Sequence, residues 1–125
     1  MAWNRHHSNS ENLAIDAEDA RRAGNLQCAQ ALYRQAAAEE AEAFANLPVD
    51  KQKTRGVTAV SAVALSYKAR EYGEAERLAY RYLAEEQLPP FALAQLRDLL
   101  RSILTAQGAE RTRIRIVPVK DGEST

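Results

Sequence analysis

The sequence predicts an all-α fold of two helix-turn-helix units followed by a capping helix. Three observations predict it. Of the 125 residues, 24 are alanine, set among Glu, Arg, Gln and Leu, side chains that lose little rotamer freedom in a helix. Small and apolar residues recur at helical spacing in five segments, separated by Gly24-Asn25, by Pro48, by Arg70-Glu71 and by Pro89-Pro90. One pattern also occurs twice: a helix lined with small residues, a turn, then Leu, Ala and Tyr along the next helix, over residues 17–36 and more loosely over 63–83. A chain of this length can bury a single core without staples.

Residues 1–9 read as a disordered leader, with Asn9 or Ser10 available to cap the first helix. That helix runs over about residues 11–23 and carries Leu13, Ala14, Ala17 and Ala20 on one side. Gly24 and Asn25 close it, since both tolerate the left-handed conformation that ends helices. A second helix starts at Leu26 and meets no breaker before Leu47-Pro48. Cys28, beside Ala29, reads as a small buried hydrophobe, and as the one cysteine it cannot form an internal disulfide.

Residues 48–53 form a polar connector to a third helix over about 54–70, with Val57, Val60, Ala64 and Tyr67 as its buried stripe. The fourth, about 72–86, turns Ala75, Leu78, Ala79 and Tyr82 inward. Pro90 suits the first turn of a fifth helix, about 90–106, whose Leu93, Leu96, Leu100 and Leu104 cover the open side of the stack before Gly108 ends it. Residues 112–119 alternate charged and β-branched side chains, the period of a strand, so 108–125 reads as an extended or disordered tail.

The repeated pattern resembles the tetratricopeptide repeat, a helix-turn-helix unit that stacks into scaffolds for protein binding. In the first copy Ala17 and Ala20, the turn Gly24-Asn25-Leu26, and Ala29, Tyr33 and Ala36 match the family pattern. In the second copy Tyr72 and Ala75 match, Arg70-Glu71 replaces the glycine turn, and Ala79 and Tyr82 exchange the large and small packing residues. Ala29 and Ala75 lie 46 positions apart, against a family period of about 34 residues, a spacing that also suits other helical arrays. The resemblance covers residues 10–107 as a tetratricopeptide-like domain.

Seventeen basic and seventeen acidic residues cancel, so no global field draws the chain to nucleic acid or an anionic membrane. No apolar run is long enough for a membrane span or resembles a secretory signal, which favours a cytoplasmic protein. The pattern points away from an enzyme and implies no cofactor: there is no phosphate loop, nucleophile motif or zinc-ligand spacing. His6 and His7 read as part of a frayed end, and Glu39, Glu40 and Glu42 as a solvated face. Lys51, Lys53 and Arg55, with Arg111, Arg113 and Arg115, form a basic set that could meet a phosphate backbone only if they converge.

The resemblance implies a concave groove lined by the first helix of each unit. By alignment that face includes Ala14, Glu18, Arg21 and Arg22, then Val60, Ser61, Ala64, Tyr67 and Lys68. Arg21, Tyr67 and Lys68 make a candidate site for a carboxylate or phosphate of a partner segment; the plainer reading has Tyr67 in the core and the cations on the surface. The family's clamp for chaperone tails is not reproduced, because Ala14 and Glu18 stand at its positions. Arg113 and Arg115 offer a secondary contact on the tail, which could also pair with a second copy. The expected function is a non-enzymatic adaptor that binds an unknown protein or peptide, the alternative a self-associating structural subunit such as a homodimer, and less favoured a nucleic-acid-binding accessory protein.

Overall fold

The computed structural model describes the backbone of residues 2–124 and the side chains of residues 2–112. Five helices follow one another: α1 Ala2–Arg22, α2 Leu26–Ala45, α3 Gln52–Lys68, α4 Tyr72–Leu83 and α5 Pro90–Ser124. Each packs against the next, and α5 also reaches back to α3, so α3 touches α2, α4 and α5.

Packing on three sides explains the composition of α3. Ala59, Ala62 and Val63 face α4 and α5 beside Leu78, Tyr82, Leu96 and Ile103, while Leu65 and Ala69 join Ala17, Tyr33 and Ala36 of the first hairpin. A β-carbon on Gly56 would lie 3.0 Å from both the Ala92 β-carbon and the Pro89 ring, so the absent side chain lets α5 approach. Val57 is accordingly 49% exposed and not part of the buried stripe expected for it. In α4, Ala75, Leu78, Ala79 and Tyr82 are all buried as the periodicity implies, and burial pushes the Tyr82 hydroxyl up to about 12.

The fifth helix is integral to the core. Ala92, Leu96 and Ile103 are fully buried and Leu104 is exposed, so the stripe is rotated from the leucine series read in the sequence. Truncating Leu96 or Ile103 to alanine would cost about 2–5 kcal/mol each, a large share of a small domain's stability.

Both expected termini are corrected. Residues 2–9 are not a loose leader but the first turns of α1: the Trp3 indole donates to Thr58 Oγ1 at 3.3 Å, and Ser10 is buried where a cap was expected. The apolar and aromatic surface of Trp3, together with polar contacts to α2, supplies the burial that a short polar stretch lacks in isolation. At the other end α5 passes through Gly108 and stays helical to Ser124, in place of the strand read over 112–119. A lone strand has no ladder partner among the described residues, whereas a helix satisfies its backbone groups within itself. Cys28 is exposed, because one residue before the buried Ala29 the first turn of α2 faces away from α1.

The two hairpins close with the same turn. After α1, Asn25 N–H bonds to Ala20 O at 2.9 Å and Gly24 N–H to Arg21 O at 3.0 Å; after α3, Glu71 N–H bonds to Ser66 O at 3.0 Å and Arg70 N–H to Tyr67 O at 2.9 Å. These paired bonds require a left-handed residue, supplied by Gly24 at φ 83° and by Arg70 at φ 60°. The match places position 24 over 70 and 29 over 75, the offset seen in the sequence.

Candidate functional site

The residues expected to line a groove separate into two neighbouring surfaces on α3. Val60, Ala64 and Tyr67 are half-buried and face α5. A shallow cleft of about 320 Å³ lies among Val60, Ala64, Asp98, Leu99 and Ser102, and it continues past Ser102 into one of about 350 Å³ lined by Tyr67, Arg101 and Ala106. Tyr67 also packs against Tyr72, ring centroids 5.8 Å apart.

Arg21 and Lys68 lie instead at the turn end of the hairpins. They line a pocket of about 280 Å³ with Leu26, Ala29, Gln30, Tyr33 and Arg70. The Lys68 ammonium sits 5.8 Å from the centre of the Tyr33 ring, within cation–π range. The trio Arg21, Tyr67 and Lys68 is therefore not one site: Tyr67 turns to α5, and Tyr33 and Arg70 complete the cationic pocket. Ser61 is half-buried and lines none of these clefts, and Arg113 and Arg115 lie outside the described side chains.

Glu18 does not line the pocket but bonds two residues that do, Arg21 and Tyr33. Arg21 donates to Glu18 from two nitrogens, the Nε bond being 3.1 Å, Tyr33 Oη donates at 2.7 Å, and Arg22 approaches to 3.8 Å. The hydrogen bond from Arg21, then that from Tyr33, holds the Glu18 carboxyl down to about 2. Burial, followed by the bond to Glu18, pushes the Tyr33 hydroxyl above its ordinary value. Neither Lys68 nor Arg70 is in an ion pair among the described residues.

Two further clusters depart from the sequence reading. Glu40 is 1% exposed and not solvated; its oxygen lies 3.1 Å from His7 Nδ1, and the His7 ring stacks on Trp3 at 4.8 Å. His6 meets Glu39 at 3.2 Å and Asn9 donates to Glu39 at 3.0 Å; the Asn9 bond, then the His6 bond, draws the Glu39 carboxyl below its usual range. Among the described residues no three His, Cys, Asp or Glu side chains are placed to hold a metal ion. Arg55, counted in the sequence as part of a basic surface, is buried: it lies 4.4 Å from the Phe44 ring centre, 3.2 Å from Glu85 and 3.4 Å from the Leu47 carbonyl.

A further cleft of about 490 Å³ lies between α2 and α4 over Ala37, Ala41 and Ser66, and one of about 520 Å³ lies between α1 and α2 over Leu13, Gln35 and Ala38. The cations of the first are matched, Arg34 by Glu71 at 3.5 Å and Arg77 by Glu74. In the hairpin-turn pocket, by contrast, Lys68 and Arg70 are in no ion pair among the described residues. Arg70 was legible only as a departure from the glycine turn, and Tyr33 only as a packing residue, because neither the positive φ nor the shared pocket is encoded in spacing.

Fold and surface define an all-α protein of two like-turned helical hairpins sealed by a fifth helix, with no helix among the described residues long and apolar enough to cross a membrane. No family model, no curated protein and no solved structure matches the chain.

Proposed function

We propose that this chain is a non-enzymatic interaction module, a tetratricopeptide-like stack that holds a partner segment along the exposed face of α3. The observation that supports this reading is the stripe Val60, Ala64 and Tyr67, which stays half-open beside α5 although Ala59, Ala62, Val63 and Leu65 of the same helix are buried against its neighbours. A groove that is apolar at its floor and polar at its rim, through Asp98, Arg101 and Ser102, suits a peptide with alternating apolar and polar side chains. Ala64→Arg fills the floor from a half-exposed position and should leave the fold intact. A partner captured from host lysate by the intact chain and lost by Ala64→Arg, at equal thermal stability, is the expected result; equal recovery by both overturns the groove.

Self-association is the second reading, favoured by the exposed apolar side chains Val57, Phe91 and Leu104. Light scattering at micromolar concentration tests it: a monomer rejects the obligate assembly.

A further inference from the structure

Arg70 occupies a backbone position for which glycine is the better residue. Its φ is 60°, and the matching turn of the first hairpin carries Gly24 at φ 83° with equivalent hydrogen bonds. A β-carbon disfavours that conformation, and strain of this kind concentrates where a side chain is needed for function. What arginine adds there is a guanidinium on the wall of the turn-end pocket, alongside Arg21 and Lys68. The first turn of α2, which begins at Leu26 behind the Asn25 cap, directs the positive end of its dipole to the same place. The acids nearby are engaged: Glu18 by Arg21, Arg22 and Tyr33, and Glu71 by Arg34. The other wall is apolar, formed by Ala29, the Tyr33 ring and Leu26, which is 60% exposed.

We infer that this pocket receives an acidic side chain of an extended partner peptide, its carboxylate between Arg21, Lys68 and Arg70 and an adjacent aliphatic residue against Leu26. About 280 Å³ accommodates one such side chain and not a helix, which is about 10 Å across. The opposed charges select the carboxylate, and the exposed leucine selects its apolar neighbour. The inference rests on the reading of the chain as an interaction module, and it places the anchoring contact at the hairpin turns, beside the α3–α5 groove.

The test titrates the full chain with two probes, acetyl-(Leu-Glu)3-amide and acetyl-(Leu-Gln)3-amide, followed by amide NMR shifts. The glutamate peptide is expected to saturate, with its largest shifts at Arg21, Leu26, Tyr33, Lys68 and Arg70. Binding should fall about tenfold for the glutamine peptide, for Lys68→Ala and for Arg70→Gly, although Arg70→Gly melts higher than the parent chain. Equal binding of the two peptides, or an affinity unchanged by Arg70→Gly and Lys68→Ala, overturns the inference. So does inorganic phosphate if it displaces the peptide with equal affinity, since the pocket is then a simple anion site. Ala64→Arg separates the two proposals: a glutamate-peptide affinity insensitive to it but lost in Arg70→Gly supports the pocket and rejects the groove. The reverse pattern rejects the pocket and supports the groove.

Discussion

Gly24 and Arg70 hold the same left-handed position in two turns 46 residues apart, at φ 83° and 60°. A β-carbon in that conformation costs about 1–2 kcal/mol, partly offset because glycine loses about 0.5–1 kcal/mol more backbone entropy on folding. Arg70→Gly should therefore stabilise the protein by about 0.5–1 kcal/mol, and Gly24→Ala should destabilise it by about 1 kcal/mol. Urea unfolding of both variants reads the two signs; a destabilised Arg70→Gly would show that the arginine contributes packing that outweighs its backbone strain.

Arg55 and Glu85 form an ion pair of unequal burial, 7% against 36% side-chain exposure. Removing the acid leaves a buried guanidinium with only the Phe44 ring and the Leu47 carbonyl, whereas removing the arginine leaves an acid that water can reach. Glu85→Gln is expected to cost about 2 kcal/mol and more than Arg55→Met, whose apolar stem still fills the site. Denaturant midpoints in the opposite order would refute this account of the pair.

The contact of His7 with Glu40 makes the first turns of α1 part of the fold. His7→Ala leaves a buried carboxylate without its imidazole and should cost about 1–3 kcal/mol, while His7→Gln, which keeps an N–H donor, should recover part of that loss. Deletion of residues 1–9 should lower the melting temperature as well. An unchanged melting temperature would return these residues to the role of a dispensable leader.

Glu18 links acid sensitivity to the turn-end wall. Its carboxyl is depressed from 4.5 to about 2, so the stabilisation it provides is complete above about 4.5 and disappears as the pH falls toward 2. Carboxyl-carbon NMR should show this low midpoint, and Tyr33→Phe should raise it by removing one donor. Tyr82 acts at the other extreme: because burial raises its hydroxyl from 10.0 to about 12, stability should decline as the pH rises from about 10 to 12. Tyr82→Phe should remove that alkaline decline in a pH series of thermal melts.

The sequence by itself determined the helical class, the five helices, the turn at Gly24-Asn25, the inward face of α4 and the 46-residue offset between hairpins. These follow from local preference, from residues that cannot continue a helix, and from a period of 3.6 that shows which side chains share a face. Tertiary structure decided which of those faces are covered. Val57, Val60, Ala64 and Tyr67 do share one side of α3, yet Val57 is exposed and the other three are half-buried, because α2, α4 and α5 bury Ala59, Ala62, Val63 and Leu65 instead. It also decided that Trp3, His6 and His7 are ordered against α2 and α3, that Arg55 is buried, and that Arg21, Tyr33, Lys68 and Arg70 meet. Each of these depends on contacts between residues far apart in the chain, and periodicity within one helix carries no information about the neighbour it will meet.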